Sequence, residues 1–503
     1  MREGMNYTTS LLQESLLEEG GLFLLQAALL SILLLLTACF LFRRFKNANQ
    51  KLPPIVSGWI PFVGVGLNFA SGPLQYATKV YKQKGEIFTL KLFGKRLTFL
   101  VGPEAHVPFF AKNDKELSQD EPYQFSVPIF GPNVVYGADL WHRNQQLKFI
   151  AASLSSKALM SYVPMIVKEA EDYFAQWGQQ GTVDIRHALS ELIILTASRC
   201  LMGREIRENL FTQVAKLYQD LDEGLTPLSF FFPHLPIPAH KRRDKARLEM
   251  VELFSKIIEQ RRAQPDVKHD DVLQVFMDAR YPKTGAMLTE VEITGMMIAL
   301  LFAGQHTSSV TGSWTGLLLL EKENKKKFLQ GVMQEQEDII HELGPEITYE
   351  ALSKMDRLHR CVKEALRMYP PLIFLMRQVV RPFDYKGYTV PEGDILFVSP
   401  ALSMRLPEVY QHPDEFNPER FALAPEEREE RKYSYLGFGA GRHACMGESF
   451  AYLQVKTIWA VLLRSFELEL EGPLPEPDYR AMVVGPSRPC NLHYRRKKSR
   501  KHK

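Results

Sequence analysis

The chain has 503 residues, 45% hydrophobic and 24% charged, ordinary proportions for a protein that buries a sizeable core. A net charge of +4 is too mild to mark a nucleic-acid surface, so no nucleic-acid partner is expected. Five cysteines, at 39, 200, 361, 445 and 490, form no Cys-x-x-Cys pair, which excludes a disulfide framework and suits a reducing compartment.

Gly21 to Phe42 carry no charge over 22 residues, long enough to span a bilayer. Glu14, Glu18 and Glu19 precede this run, and Arg43, Arg44 and Lys46 follow it. Positive charge stays on the cytosolic side, so residues 1–20 are expected outside the cytosol and the rest of the chain within it. A signal peptide would carry its basic residues before the apolar run and a small-residue cleavage site after it, so 21–42 reads as a permanent anchor. Residues 43–54 form a basic hinge ending in Lys51-Leu-Pro-Pro54, where no helix can continue. Helical patterns run from about Leu74 to Phe466 with no low-complexity linker and no repeat, which predicts one large domain over 55–492. The basic tail 493–503 reads as a solvated or membrane-surface segment.

Within the domain, Glu86 to Val101 alternates apolar and polar residues about Gly94, which predicts a hairpin. A second is expected from Tyr388 to Val398, with Pro391-Glu-Gly393 in its loop. Tyr123 to Tyr136 is rich in aromatics, proline and glycine without periodicity, and reads as a packed loop. Ala424 to Lys432 is charged and reads as a surface loop. Glu292 to Leu320 is the longest helical stretch, apolar all round except for Gly304-Gln-His-Thr-Ser-Ser309. Those six small or polar residues argue against a second membrane span. Hydroxyls there can bond back to the previous turn and bend or loosen the helix.

Glu364 and Arg367 lie one turn apart on a helix that Tyr369-Pro-Pro371 ends, and Pro418-Glu-Arg-Phe421 follows. An arginine from that second motif is expected to join the Glu–Arg pair in a buried bidentate network. Phe438-Gly-Ala-Gly-Arg-His-Ala-Cys-Met-Gly447 then sets three glycines around Cys445, opening onto a helix near Glu448. A cysteine at a helix N-terminus is expected to favour the thiolate. Glycines around it let a flat ligand come close, as haem with a cysteine axial ligand requires.

The order Ala303-Gly-x-x-Thr-Ser, Glu364-x-x-Arg367, Pro418-Glu-Arg-Phe421 and the Cys445 loop resembles the cytochrome P450 family over roughly residues 50 to 490. His306 stands where most of that family has an acid, and Tyr123 to Tyr136 fits Tyr-x-x-x-x-Pro-x-Phe-Gly-x-x-Val-x-Tyr. Together with Ala188 to Ser198 and Ala481 to Pro486, these stretches resemble the sterol 14α-demethylases. The resemblance implies a mainly α fold with a small β-sheet region, binding haem b between the long central helix and the cysteine loop. It implies three-step oxidative removal of a sterol 14α-methyl group, using O₂ and electrons from NADPH through a cytochrome P450 reductase. An endoplasmic reticulum membrane location, contact with membrane lipid and inhibition by azoles that ligate the iron are expected with it.

Residue by residue, the resemblance makes Cys445 the iron ligand. Thr307 and His306 become oxygen-side catalytic residues, with Asp222 as the histidine's partner. It assigns Tyr123, Tyr136, Lys148, Arg377 and His443 to the haem carboxylates. It places the sterol along Phe125, Phe130, Phe302, Ala303, Leu372, Phe374 and Met482. An aromatic at 125 goes with 4-monomethyl sterols such as obtusifoliol, and an aliphatic with lanosterol-type substrates. Four positions depart from the group's pattern: Asn133 in place of glycine, Gly137 in place of an acid or alanine, and Asn144 and Ala444 in place of basic residues. Two alternatives remain on sequence alone: a monooxygenase of another lipid or xenobiotic, and a haem- or sterol-binding protein without oxygen activation.

Overall fold

The structure, a computed structural model, describes residue 31, residues 51–422 and residues 431–498. The expected anchor over 21–42 (Ser31 apart), most of the charged loop 424–432 and the last residues of the tail fall outside them. Among the described residues no single helix is long and apolar enough to cross a membrane.

The helices used below are α1 (Pro103–Ala111), α2 (Leu140–Ser153), α3 (Ser156–Ala175), α4 (Ile185–Ala197), α5 (Phe211–Glu223), α6 (Pro238–Ala263), α7 (Glu290–Leu320), α8 (Asp356–Met368) and α9 (Glu448–Ser465). Helix α7 is the axis. Thr289 starts it with a capping box: its hydroxyl accepts from the Glu292 N–H, and Glu292 Oε2 accepts from the Thr289 N–H at 2.8 Å. Being apolar on nearly every side, α7 is packed around by α4, α6, α8 and α9, with Trp314, Leu317, Leu318 and Leu319 at most 1% exposed. The Trp459 indole of α9 donates to the Gly312 carbonyl at 2.9 Å, and Trp314 stacks on Tyr369 at 3.8 Å.

Among the described residues there are thirteen short strands. The main sheet has the order β1-β2-β3-β9-β6-β4, formed by Ile55–Ser57, Ile87–Leu92, Lys95–Leu100, Ile395–Val398, Leu375–Val379 and Leu117–Ser118. Strands β2 and β3 are the expected hairpin. Phe93 (φ 48°) and Gly94 (φ 73°) turn it with both central residues at positive φ, the geometry whose twist suits a two-residue hairpin. The second expected hairpin does not form. The turn at Pro391–Gly393 exists, but β9 enters the main sheet between β3 and β6, while β8 (Tyr388–Val390) pairs with β7 (Phe383–Tyr385) about Lys386-Gly387. All four β9 residues are buried, and its parallel ladder with β3 has no sequence-local signature. Residues 51–52 and 383–389 make a small unit of their own, in which the Lys51 carbonyl accepts the Thr389 N–H at 2.9 Å.

The boundary drawn before His493 also needs correcting. Asn491–Arg496 is β13, the central strand of a sheet with β10 (Phe466–Leu470) and β5 (Gln180–Asp184). Leu492 is buried, while Arg495 pairs with Glu467 and Arg496 donates to the Phe174 carbonyl at 2.9 Å. The basic residues hid a period-two strand whose cations have partners. The remaining strands β11 (Pro477–Asp478) and β12 (Gly485–Pro486) form a hairpin that carries Met482.

Candidate active site

Cys445 sits in a loop that folds back on itself: its N–H donates to the Phe438 carbonyl at 2.9 Å, and the Ala444 N–H donates to Gly441. Gly439 (φ 69°) and Gly441 (φ 66°) take left-handed conformations. A β-carbon on Gly441 would lie 2.6 Å from the Phe110 carbonyl oxygen, so this glycine is required by space as well as by backbone. Helix α9 begins three residues after the cysteine, as expected. Burial nevertheless pushes the thiol pKa up. The Gly447 N–H pulls the other way and the Glu448 carboxylate adds to the rise. The backbone N–H at the helix start thus favours the thiolate, against the burial that opposes it.

Behind the loop, Glu364 and Arg367 are fully buried and bidentate at 2.7 and 2.9 Å. Arg420 of the Pro-Glu-Arg-Phe motif joins them, Nε to Glu364 Oε1 at 2.9 Å, and the Asn417 N–H adds a fourth donor at 3.0 Å. Arg367 also donates to the Met404 carbonyl at 2.9 Å. The expected network is present and its polar atoms are paired, the condition under which buried charge is tolerated.

On one side of the loop lies a cationic and phenolic cluster. Tyr123 and Tyr136 stack at 4.7 Å, and burial pushes the Tyr136 phenol up, so it stays a donor. Arg377, 5% exposed, donates to its neighbour's carbonyl (Met376 O, 2.6 Å) and lies 5.0 Å from the Phe109 ring centre. Among the described residues no carboxylate pairs with it. His443 Nε2 meets Asp114 Oδ1 at 2.7 Å. Burial first, then Arg377, lowers the His443 pKa against the pull of Asp114. A buried cation without an anion, beside two phenols and an imidazole, fits the carboxylates of a haem.

Lys148 is not part of this cluster: it is exposed on α2. Arg143 of the same helix is instead buried, pairs with Asp120 and lies 5.7 Å from the Tyr136 ring centre. Sequence reading missed both Arg143 and Asp114, because neither belongs to a motif and each finds its partner across the fold. Asn133, in place of glycine, takes φ 60°, a left-handed conformation asparagine tolerates better than most residues.

In mid-α7, Thr307 donates to the Ala303 carbonyl at 2.6 Å, and Thr311, Ser313 and Thr315 repeat the bond one turn on. The helix is not opened by them; it runs unbroken from Glu290 to Leu320. The reason is that each hydroxyl adds a bond to a carbonyl without displacing the ladder. Ala303 is exposed, and a β-carbon on Gly304 would meet nothing within 4 Å, whereas Leu301 and Ser308 to Leu320 are buried. This stretch of α7 leaves room for a ligand. His306 Nε2 lies 2.8 Å from Asp222 Oδ1 on α5.

The expected sterol contacts fall into separate groups. Phe130 and Phe302 are in edge contact at 6.1 Å, with Tyr218 on Phe302 at 4.8 Å. Phe125 lies 6.1 Å from Tyr123 and 5.9 Å from Phe230. Leu372 is exposed and Met482 half-buried, and the two segments are tied by the Val484 N–H to the Pro371 carbonyl at 2.9 Å. Phe374 packs on Phe69, Phe99 and Phe397 at 5.5 to 5.9 Å, so the main sheet holds it.

Residues 53–493 match the family model "Cytochrome P450". The chain is 46% identical to the sterol 14-demethylase of Arabidopsis thaliana, over 94% of this chain and 98% of that protein. It is also 46% identical to the obtusifoliol 14-alpha demethylase of Sorghum bicolor, covering 95% and 96%. Identity to the lanosterol 14-alpha demethylase of Mus musculus is 39%, covering 96% and 99%. The fold matches a solved retinoic acid-bound cyanobacterial protein, CYP120A1, with a TM-score of 0.79 at 26% identity, over 89% of this chain and all of that one.

Proposed function

This chain belongs to the cytochrome P450 family, and from that premise we propose a sterol 14α-demethylase whose preferred substrate is a 4-monomethyl sterol of the obtusifoliol class. It is a haem-dependent monooxygenase of sterol biosynthesis. Haem b, held through Cys445, supplies activation of O₂ and oxidation of the 14α-methyl carbon.

The chain's own residues supply the rest. Tyr123, Tyr136, Arg377 and His443 would hold the haem carboxylates, with Arg143 in the supporting position first given to Lys148. The aromatic wall of Phe125, Phe130 and Phe302, with Ala303, Leu372, Phe374 and Met482, excludes water and orients the sterol by shape. His306 carries protons inward from the Asp222 side, and the Thr307 hydroxyl receives them. Electrons come from NADPH through a membrane reductase, and azoles compete by ligating the iron. Residues 21–42 anchor the chain in the endoplasmic reticulum membrane with the domain in the cytosol.

The observation that carries the reading is the His306–Asp222 contact one residue before Thr307, where most of the family carries an acid in place of the histidine. Phe125, in ring contact with Phe230, supports the substrate choice through the aromatic that the resemblance ties to 4-monomethyl sterols. Turnover of obtusifoliol and lanosterol by the purified protein with reductase and NADPH tests both. The expected result is 14α-demethylation with obtusifoliol favoured. A lanosterol preference overturns the substrate choice, and a carbonyl complex of the thiolate type without turnover of either sterol overturns the sterol assignment.

A further inference from the structure

Helix α1 and the residues just after it run beside the cysteine loop and its lead-in. His106, fully buried, bridges the Tyr433 carbonyl (3.1 Å), five residues before the loop, and the Ser403 hydroxyl (3.0 Å). The Phe110 carbonyl fills the space that a side chain at Gly441 would need. Beyond the helix end, Asp114 meets His443 Nε2 at 2.7 Å and Arg442 Nε at 3.2 Å. The Asp114 side chain is 6% exposed, and among the described residues the Arg442 guanidinium and the His443 imidazole are its ion-pair and hydrogen-bond partners. A carboxylate is costly to bury unless paired, so the pairing fixes where Arg442 and His443 sit.

We propose that Asp114 is a positioning residue for the iron ligand, clamping the Arg442–His443 step of the loop so that Cys445, two residues on, is held in place. The short helical turn Gly441–His443 lies directly before the cysteine, and the Phe438 carbonyl closes the loop on the Cys445 N–H. Any shift of the step is therefore passed to the sulfur. Engaging Nε2 also orients the His443 ring and leaves Nδ1 as the nitrogen that would be available to a haem carboxylate. Arg442 is the outer arm of the clamp, with its side chain 55% exposed. The inference rests on the haem-thiolate reading above, whose own failure has a separate signature: a wild-type protein with no thiolate-type carbonyl spectrum, which overturns both.

The test uses haem-loaded full-length protein and two readouts below the unfolding temperature: the fraction of carbonyl complex of the thiolate type, and the rate of haem transfer to excess apomyoglobin. Asp114→Asn keeps the shape and removes the charge. It is expected to accelerate haem transfer about tenfold or more, the factor that follows from losing one charge-assisted hydrogen bond, and to lower the thiolate fraction. Arg442→Gln is expected to act in the same direction more weakly, and it decides the question if the Asn variant does not load. Glu169→Gln serves as a stability control, because Glu169 is a buried carboxylate paired with Arg199 and Arg207. Wild-type values of both readouts in Asp114→Asn overturn the proposal. So does an equal loss in Glu169→Gln at matched thermal stability, which would assign Asp114 a general structural role.

Discussion

His306 and Asp222 are joined across 2.8 Å, linking the middle of the long central helix to the last turn of α5. Both side chains are about one-third exposed, at 31% and 36%, so the pair borders solvent rather than lying sealed in the core. Tyr218, one turn before Asp222, packs on Phe302 at 4.8 Å and lies 6.3 Å from the His306 ring centre. A pair so placed is suited to passing protons from solvent towards Thr307. Replacing His306 by Ala, or Asp222 by Asn, is expected to lower sterol turnover by on the order of 10²-fold, the lower end of what a positioned acid or base contributes. Sterol affinity, read by equilibrium dialysis, should change little. Full turnover in His306→Ala would make the histidine a structural residue.

The Glu364–Arg367–Arg420 network predicts a stability effect rather than a catalytic one. Glu364 accepts four hydrogen bonds with its side chain wholly buried, so removing a cation leaves charge uncompensated. Arg367→Ala is expected to cost about 3–5 kcal/mol. Arg420→Ala, which removes one donor at the network's partly accessible edge, should cost less. Urea unfolding of the two variants gives the comparison, and an equal or reversed order would contradict the assignment of Arg367 as the central cation.

His106 gives a pH-dependent prediction. Burial lowers its pKa from 6.5 to about 4, against the opposing pull of the Tyr433 carbonyl. The folded state therefore holds this imidazole neutral where the unfolded chain would protonate it. Its contribution is fully present above pH 6.5, declines as pH falls, and is gone once pH has passed through about 4. The full span corresponds to roughly 3 kcal/mol at 1.36 kcal/mol per unit. Unfolding free energy measured at pH 7 and pH 5 should fall more steeply in the wild type than in His106→Gln. Parallel slopes would place the acid sensitivity elsewhere, with His359, whose pKa burial also lowers to about 4, the next group to replace.

What was legible in the sequence is what spacing encodes. The Cys445 loop, the Glu364–Arg367 turn and the Phe93-Gly94 hairpin are local, and each fixes its own geometry through glycine conformation or helix periodicity. Even the Arg420 partner could be expected, because its motif comes as a unit. The misses share one cause, partner choice across the fold. Strand β9 has the residues of a hairpin arm but pairs with β3 and β6. The run His493 to Arg496 has the composition of a tail but finds Glu467 and the Phe174 carbonyl. Asp114 and Arg143 carry no signature because their roles depend on loops that only tertiary packing brings near.

Arg377 yields a prediction with opposite signs in two states. Arg377 is 5% exposed and its guanidinium bonds to the Met376 carbonyl, with no carboxylate partner among the described residues. In the haem-free protein this cation is desolvated with little return, whereas haem carboxylates would neutralise it. Arg377→Met, similar in length and uncharged, should therefore stabilise the haem-free protein by on the order of 1 kcal/mol, the lower end of what replacing buried charge by an apolar residue gives. The same change should weaken haem retention, read as faster transfer to apomyoglobin. Destabilisation of both forms would mean that Arg377 supports the fold directly through its contact with Phe109, and the assignment of this cation to the haem carboxylates would fall.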